Sequence, residues 1–213
     1  SLVNVLAHEL AHSWTGNLVT NATIDDFWLN EGFTVWAERR IHEKLYGKEA
    51  QALSAAIGRN GLNDALASFG PGSPFTCLKT DGSGKDPDEF YSLVPYEKGF
   101  LFVSLLEQTV GREKFDVFIK KYIKHFSFTS ITTEQFEEFL DKELPGVAAQ
   151  VGAQAWIRQP DVPANAPSFT SEQLTMLKDL AAGWAGGKRP DPAAAKKWKP
   201  EDWQIYLLSL IHI

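Results

Sequence analysis

The pattern of residues predicts a predominantly all-α chain, and three observations carry that expectation. Apolar residues recur at helical spacing along most of the 213 residues. No alternation of period two lasts more than a few residues, so no strand-built layer is expected. Glycine, proline and capping residues fall between the periodic stretches, at Gly47, Gly111, Thr132-x-x-Gln135 and Pro145-Gly146, where helices should start and stop.

Taken in order, residues 1–13 set Leu2, Val3, Val5, Leu6, Leu10 and Ala11 around two histidines and read as a buried helix. Thr15-Gly16-Asn17 and Thr20-Asn21 are turn residues, so the chain can fold back there. Asp25 to Tyr46 reads as a second helix, opened by Ile24-Asp25-Asp26, whose acids suit the N-terminal dipole, and closed by Gly47. Residues 48–68 read as helix interrupted near Gly58 and Gly61, and the glycine- and proline-rich Phe69–Pro87 as a long loop on the rim of a cleft. Residues 95–108 and 112–126 are amphipathic, and a further helix begins at the Thr132/Gln135 capping box. Arg158 to Ser168, with Pro160, Pro163 and Pro167, is a linker. Thr170-x-x-Gln173 should cap a helix through about Trp184. The hydrophobic run Trp203–Ile213 is either a helix cut mid-course or, for Ser-Leu-Ile-His-Ile, a tail foreign to the fold. The expected division is a domain at 1–157, a linker at 158–169 and the start of a second helical domain at 170–213.

Composition sets bounds. With 44% hydrophobic and 23% charged residues the chain is an ordinary globular one. A net charge of −6 without a long basic run argues against nucleic acid as a partner, and no run of 18 apolar residues is available to span a membrane. The single cysteine, Cys77, excludes an internal disulfide and fits a reducing, cytoplasmic setting; nothing near it in sequence would activate it. The chain begins Ser-Leu-Val only seven residues before a candidate ligand, so a fragment with structure upstream is expected, and a missing leader carries little meaning.

The chemistry concentrates in His8-Glu9-x-x-His12 and in Glu31, with 18 residues between His12 and Glu31. Histidines at i and i+4 share a helix face with Cβ atoms about 5–6 Å apart, close enough for both imidazoles to reach one ion at about 2.0–2.1 Å. Glu9 lies about 100° round the helix, off the ligand line but placed to take a proton from a water at the metal. A catalytic zinc wants a third protein ligand and an open position, and Glu31 on the second helix is the best candidate. The competing reading is an exposed helix with two incidental histidines. Glu38, two turns beyond Glu31, is either an acceptor for a ligand histidine or a solvated acid. His42 lies about 16 Å along the axis from Glu31, too far to join, and His125 and His212 have no partner spacing.

With HELAHSWTGN, NEGFTVWAE and VPYEKG in view, the chain resembles the gluzincin zinc aminopeptidases, which share a thermolysin-like helical catalytic domain. The Pro-Tyr-Glu-Lys-Gly wording, preceded by DPDEFYS, points to the leukotriene A4 hydrolase group within them. The resemblance covers about residues 1–157 and implies one Zn2+ per chain held by His8, His12 and Glu31, with Glu9 as base. It also implies Tyr96 as hydrogen-bond donor to the charged carbonyl oxygen of the transition state. Read without the family, Tyr96 is a packed aromatic among Phe90, Tyr91 and Phe100. Phe27, Asp88 and Tyr91 match positions lining a lipid-epoxide channel, so peptide substrates and a lipid epoxide are both implied. The family's G-x-M-E-N amine anchor does not occur in these residues; it and a β-rich N-terminal domain are expected upstream. The alternatives are a thermolysin-like endopeptidase and a truncated, non-catalytic helical fragment.

Overall fold

The computed structural model describes residues 2–86, 88 and 91–211. The element the others pack on is α2, Trp28–Tyr46. Its flanks are α1 (Leu2–Ala11), α3 (Lys48–Phe69) and α4 (Gly99–Val110). Beyond these come α5 (Arg112–Phe126), α6 (Thr133–Glu143), α7 (Val147–Val151) and α8 (Ala153–Arg158). Two three-residue strands, β1 (Val19–Asn21) and β2 (Thr129–Ile131), pair in parallel with Val19 opposite Thr129. They are the only strands among the described residues, too short for a period-two signal. The main core is aromatic: Trp28, Phe33, Phe102, Phe115, Phe118, Tyr122, Phe136 and Trp156 are all essentially sealed from solvent.

α2 can lie this close to α4 because two glycines face each other across the contact. A Cβ on Gly32 would sit 2.8 Å from the Cα of Gly99, and one on Gly99 equally close to the Cα of Gly32. The C-terminal segment forms a separate cluster in which α9 (Glu172–Ala182) and α11 (Pro200–Ile211), flanking the short α10 (Pro192–Ala195), bury Leu174, Leu177, Ala181, Ile205 and Tyr206 with Leu53 of α3.

Several sequence-based expectations need correction. α1 is not a buried helix: only Ala7 and Ala11 are buried, while Leu2, Val5, Leu6 and Leu10 are exposed. α3 runs unbroken through Gly58 and Gly61, because a helix tolerates an isolated glycine at about 1 kcal/mol and both positions are crowded. A Cβ at Gly58 would collide with Arg39 and Glu97, and one at Gly61 would lie 2.8 Å from Leu93. The acids Asp25 and Asp26 sit in a 3-10 turn, Ile24–Asp26, before α2. Rather than serving a dipole, buried Asp26 accepts from Lys79 Nζ at 2.7 Å and from Thr133 N and Oγ1 at 2.8 Å, and Asp25 accepts from Thr80 and Gly82. The long loop is thereby pinned to the start of α2. The capping box at Thr132 and Gln135 forms as expected. The cap of α9 is one residue later than expected, at Ser171, whose side chain accepts from Leu174 N. Within Trp203–Ile213, residues through Ile211 are helical, and 212–213 lie outside the described residues, as do Phe90 and His212.

Candidate active site

Local helix geometry brings the two imidazoles of α1 together: His8 Nε2 and His12 Nε2 are 3.1 Å apart. Each ring is held from behind. His8 Nδ1–H donates to Glu38 Oε2 at 3.2 Å, and His12 Nδ1–H to the carbonyl of Thr15 at 2.9 Å. Thr34 Oγ1 donates to the same carbonyl at 2.9 Å. With both Nδ1 atoms committed, the Nε2 lone pairs point forward. Gly16 is needed for this arrangement: its φ is +137°, and a Cβ there would stand 2.7 Å from His12 Nδ1.

Glu31, in the first turn of α2, completes the group. Its Oε2 lies 3.3 Å from His8 Nε2 and 3.5 Å from His12 Nε2. One ligand atom from each of His8, His12 and Glu31 falls within 4.8 Å of the others. Glu31 Oε2 is buried without a hydrogen-bond donor, which is costly for a carboxylate unless a cation joins it. The electrostatics agree. Burial lowers the pKa of His8, but the adjacent carboxylates of Glu31 and then Glu38 outweigh it and raise it to about 9, so the cleft favours positive charge. Two imidazoles and one carboxylate are a donor set that suits catalytic zinc, and the residues present fit the ion.

Tyr96 arrives from a π-wound turn, Val94–Lys98. Its ring lies over His8, with centroids 6.2 Å apart and planes at 21°. Its hydroxyl is 2.8 Å from that of Tyr91, and its edge meets Phe27 at 5.8 Å. Burial, the hydrogen bond with Tyr91 and the charges of Glu31 and Glu9 push its pKa well above the usual phenol value. That direction favours the neutral hydroxyl, which can donate. Glu9 is exposed beside the cleft. Phe27 and Tyr91 thus join the cluster. Asp88 is exposed, with its N–H on Asp86 Oδ1 at 3.0 Å. Cys77 is buried with its thiol 3.3 Å from the carbonyl of Arg158 and its pKa pushed up by burial, as befits an unreactive thiol. A cavity of about 950 Å3 at α9 and α10 includes none of these groups.

Sequence reasoning overlooked the carbonyl of Thr15, the hydroxyl of Thr34, and the Arg39–Glu97 pair and Lys98 beside Tyr96. Only Gly16, three residues before Val19 in a turn next to a ligand, offered a local hint.

Residues 1–156 match the Peptidase family M1 domain. The chain belongs to peptidase family M1. Among family M1 relatives, leucine aminopeptidase 2 of Aspergillus terreus is 41% identical over 206 residues, covering 94% of this chain and 33% of that protein. Its namesake in Aspergillus oryzae is 43% identical over 188 residues, covering 85% and 30%. The structure of yeast LTA4 hydrolase in complex with bestatin matches with a TM-score of 0.91 at 33% identity, over 99% of this chain and 36% of that one. The M1 zinc metallopeptidase from Deinococcus radiodurans matches with a TM-score of 0.62 at 28% identity, over 78% and 35%. The chain thus spans about a third of the length of the curated relatives it matches. Among the described residues no helix is long and apolar enough to cross a membrane.

Proposed function

We propose that the protein carrying this chain is a zinc aminopeptidase that removes N-terminal residues from short peptides, with one zinc held by His8, His12 and Glu31. The observation that carries the proposal is the convergence of those three ligand atoms within 4.8 Å, next to a tyrosine whose ring stacks on His8. Bound there, zinc would supply a Lewis acid for the scissile carbonyl and lower the pKa of a nearby water.

This chain's own groups do the rest. Glu9, free of the ligand set, takes the proton of the attacking water and passes it to the leaving amine. Tyr96 Oη donates to the oxygen on which charge develops, its orientation set by the hydroxyl of Tyr91. Glu38 and the Thr15 carbonyl hold the two imidazoles so that neither has to reorient during the reaction. Recognition of the free amine is assigned to residues outside these 213, because the chain contains no G-x-M-E-N and the relatives are much longer. A cytoplasmic setting is proposed from the lone, unpaired cysteine. The proposed domain division is 1–157, 158–169 and 170–213; the end of the family match at 156 and the separate C-terminal cluster support it.

The deciding assay compares an aminoacyl anilide with an N-acetylated peptide. Cleavage of the first alone supports the aminopeptidase; cleavage of the second indicates an endopeptidase; one zinc per chain without either activity indicates a non-catalytic fragment. Tyr96→Phe should lower turnover about 10²–10³-fold.

A second activity, opening of a lipid epoxide, is favoured by the aromatic group of Phe27, Tyr91 and Tyr96. A small recess lined by Phe27, Phe75, Leu78, Tyr91 and Pro95 adjoins it. Asp88 is proposed to direct water in that reaction, so Asp88→Asn should alter epoxide hydrolysis and spare peptidase activity; equal loss of both would refute the assignment.

A further inference from the structure

We infer that Arg39, Glu97 and Lys98 are positioning residues for Tyr96, clamping the π-wound turn that carries it to the helix that carries Glu31 and Glu38. The inference rests on the reading of Tyr96 as the donor to the developing oxyanion.

The two residues that follow Tyr96 in the turn make their contacts away from the ligand group, on α2 and on the loop. Glu97 meets Arg39 of α2, with Nη2 donating to Oε1 at 2.7 Å, and the guanidinium lies 4.0 Å over the ring of Phe100. Lys98 is fully buried, and its Nζ donates to the carbonyls of Thr76 and Gln159, both at 2.8 Å. One side of the turn is thereby fixed to α2 and the other to the loop and to the segment after α8.

Three features argue that these are more than packing. First, the Arg39–Glu97 pair is inefficient as glue: Arg39 is 4% exposed, and its Nε and Nη1 are buried without acceptors. A buried ion pair of this kind is often replaceable by apolar side chains without loss of stability, whereas its direction and length are not so replaced. Second, space has been left for it. Gly58 of α3 lies over the pair, and any side chain there would strike Arg39 Nη2 and the Glu97 carboxylate. Third, the clamp is in register with the metal ligands. Arg39 follows Glu38, the partner of His8, and the Gly32–Gly99 contact brings the two backbones together next to Glu31 and just after Lys98. A π-wound turn is uncommon and occurs mostly at functional sites; here its two outward side chains are both tied down while its inward one faces His8.

The test uses the zinc-loaded protein with its peptidase assay. Glu97→Gln should lower kcat about 10- to 100-fold, as expected for a displaced catalytic group, with KM within about twofold and zinc content unchanged. In a Tyr96→Phe background the same change should cost less than about threefold, because the group it positions is gone. Lys98→Met should behave likewise, and Arg39→Lys, which keeps the charge but not the fork, serves if Glu97→Gln does not fold. An equal loss of kcat in both backgrounds, a loss confined to KM or zinc content, or no loss at all would overturn the positioning role while leaving the Tyr96 reading intact. Normal turnover in Tyr96→Phe alone would overturn that reading, and the positioning role with it.

Discussion

Helices α1 and α2 both supply metal-ligand candidates, yet they are built on opposite terms. α2 buries Trp28, Leu29, Phe33, Val35 and Trp36 together with Glu31 and Arg39, so its ligand is part of the core. α1 buries only Ala7 and Ala11 and turns four large apolar side chains outward. One wall of the cleft is thus a fixed reference, and the other is tied to it by polar contacts that include His8 to Glu38 and Thr34 to the carbonyl of Thr15. Chemistry and stability should therefore separate between the two helices.

The largest effects test that separation directly. Glu9→Gln, on α1, should lower kcat by about 10²–10⁴ with zinc content and melting temperature unchanged; steady-state kinetics and calorimetry check it. Phe33→Ala, on α2, should cost about 3–5 kcal/mol of stability by leaving a cavity in the aromatic core, seen as a lower denaturation midpoint. Glu38→Ala removes the acceptor that α2 offers His8 and should weaken zinc binding about 10- to 100-fold in a competition titration; unchanged affinity would reduce Glu38 to a bystander.

A subtler effect concerns Lys98. Burial lowers its pKa from 10.5 to about 8, opposed by the neighbouring Cys77 and Asp161. Between those two values the unfolded chain holds the proton and the folded one does not. This residue's contribution to stability therefore rises as pH climbs from about 8 towards 10.5 and is least favourable below 8. Lys98→Met should remove that rise, which paired pH-dependent denaturation curves would show. The smallest effect is expected from Leu6→Ser in this 213-residue chain, within about 0.5 kcal/mol. A larger loss would mean that the outer face of α1 is packed.

Most helices were legible because their start and stop signals are local: the Thr132 capping box and the stops at Gly47 and Gly111 act within one turn. Errors arose where a residue was chosen for a distant neighbour. Gly58 reads as a helix breaker but makes room for an ion pair reaching in from α2 and the Tyr96 turn. Asp26 reads as a dipole partner but binds Lys79 and Thr133, the latter 107 positions away. α1 reads as buried because an apolar face looks the same whether or not anything covers it.

By itself the sequence determined the pairing of His8 with His12 and the place of Glu9 beside them, since a helical repeat of 3.6 residues sets those relations within a single turn. Tertiary structure alone decided that Glu31 would come to 3.3 Å from His8 Nε2 and that Tyr96 would face that ring. Those approaches depend on two glycines letting α2 and α4 touch and on Arg39 meeting Glu97, 58 positions apart. Contacts at such separation are selected by how whole elements pack, and no local pattern encodes them.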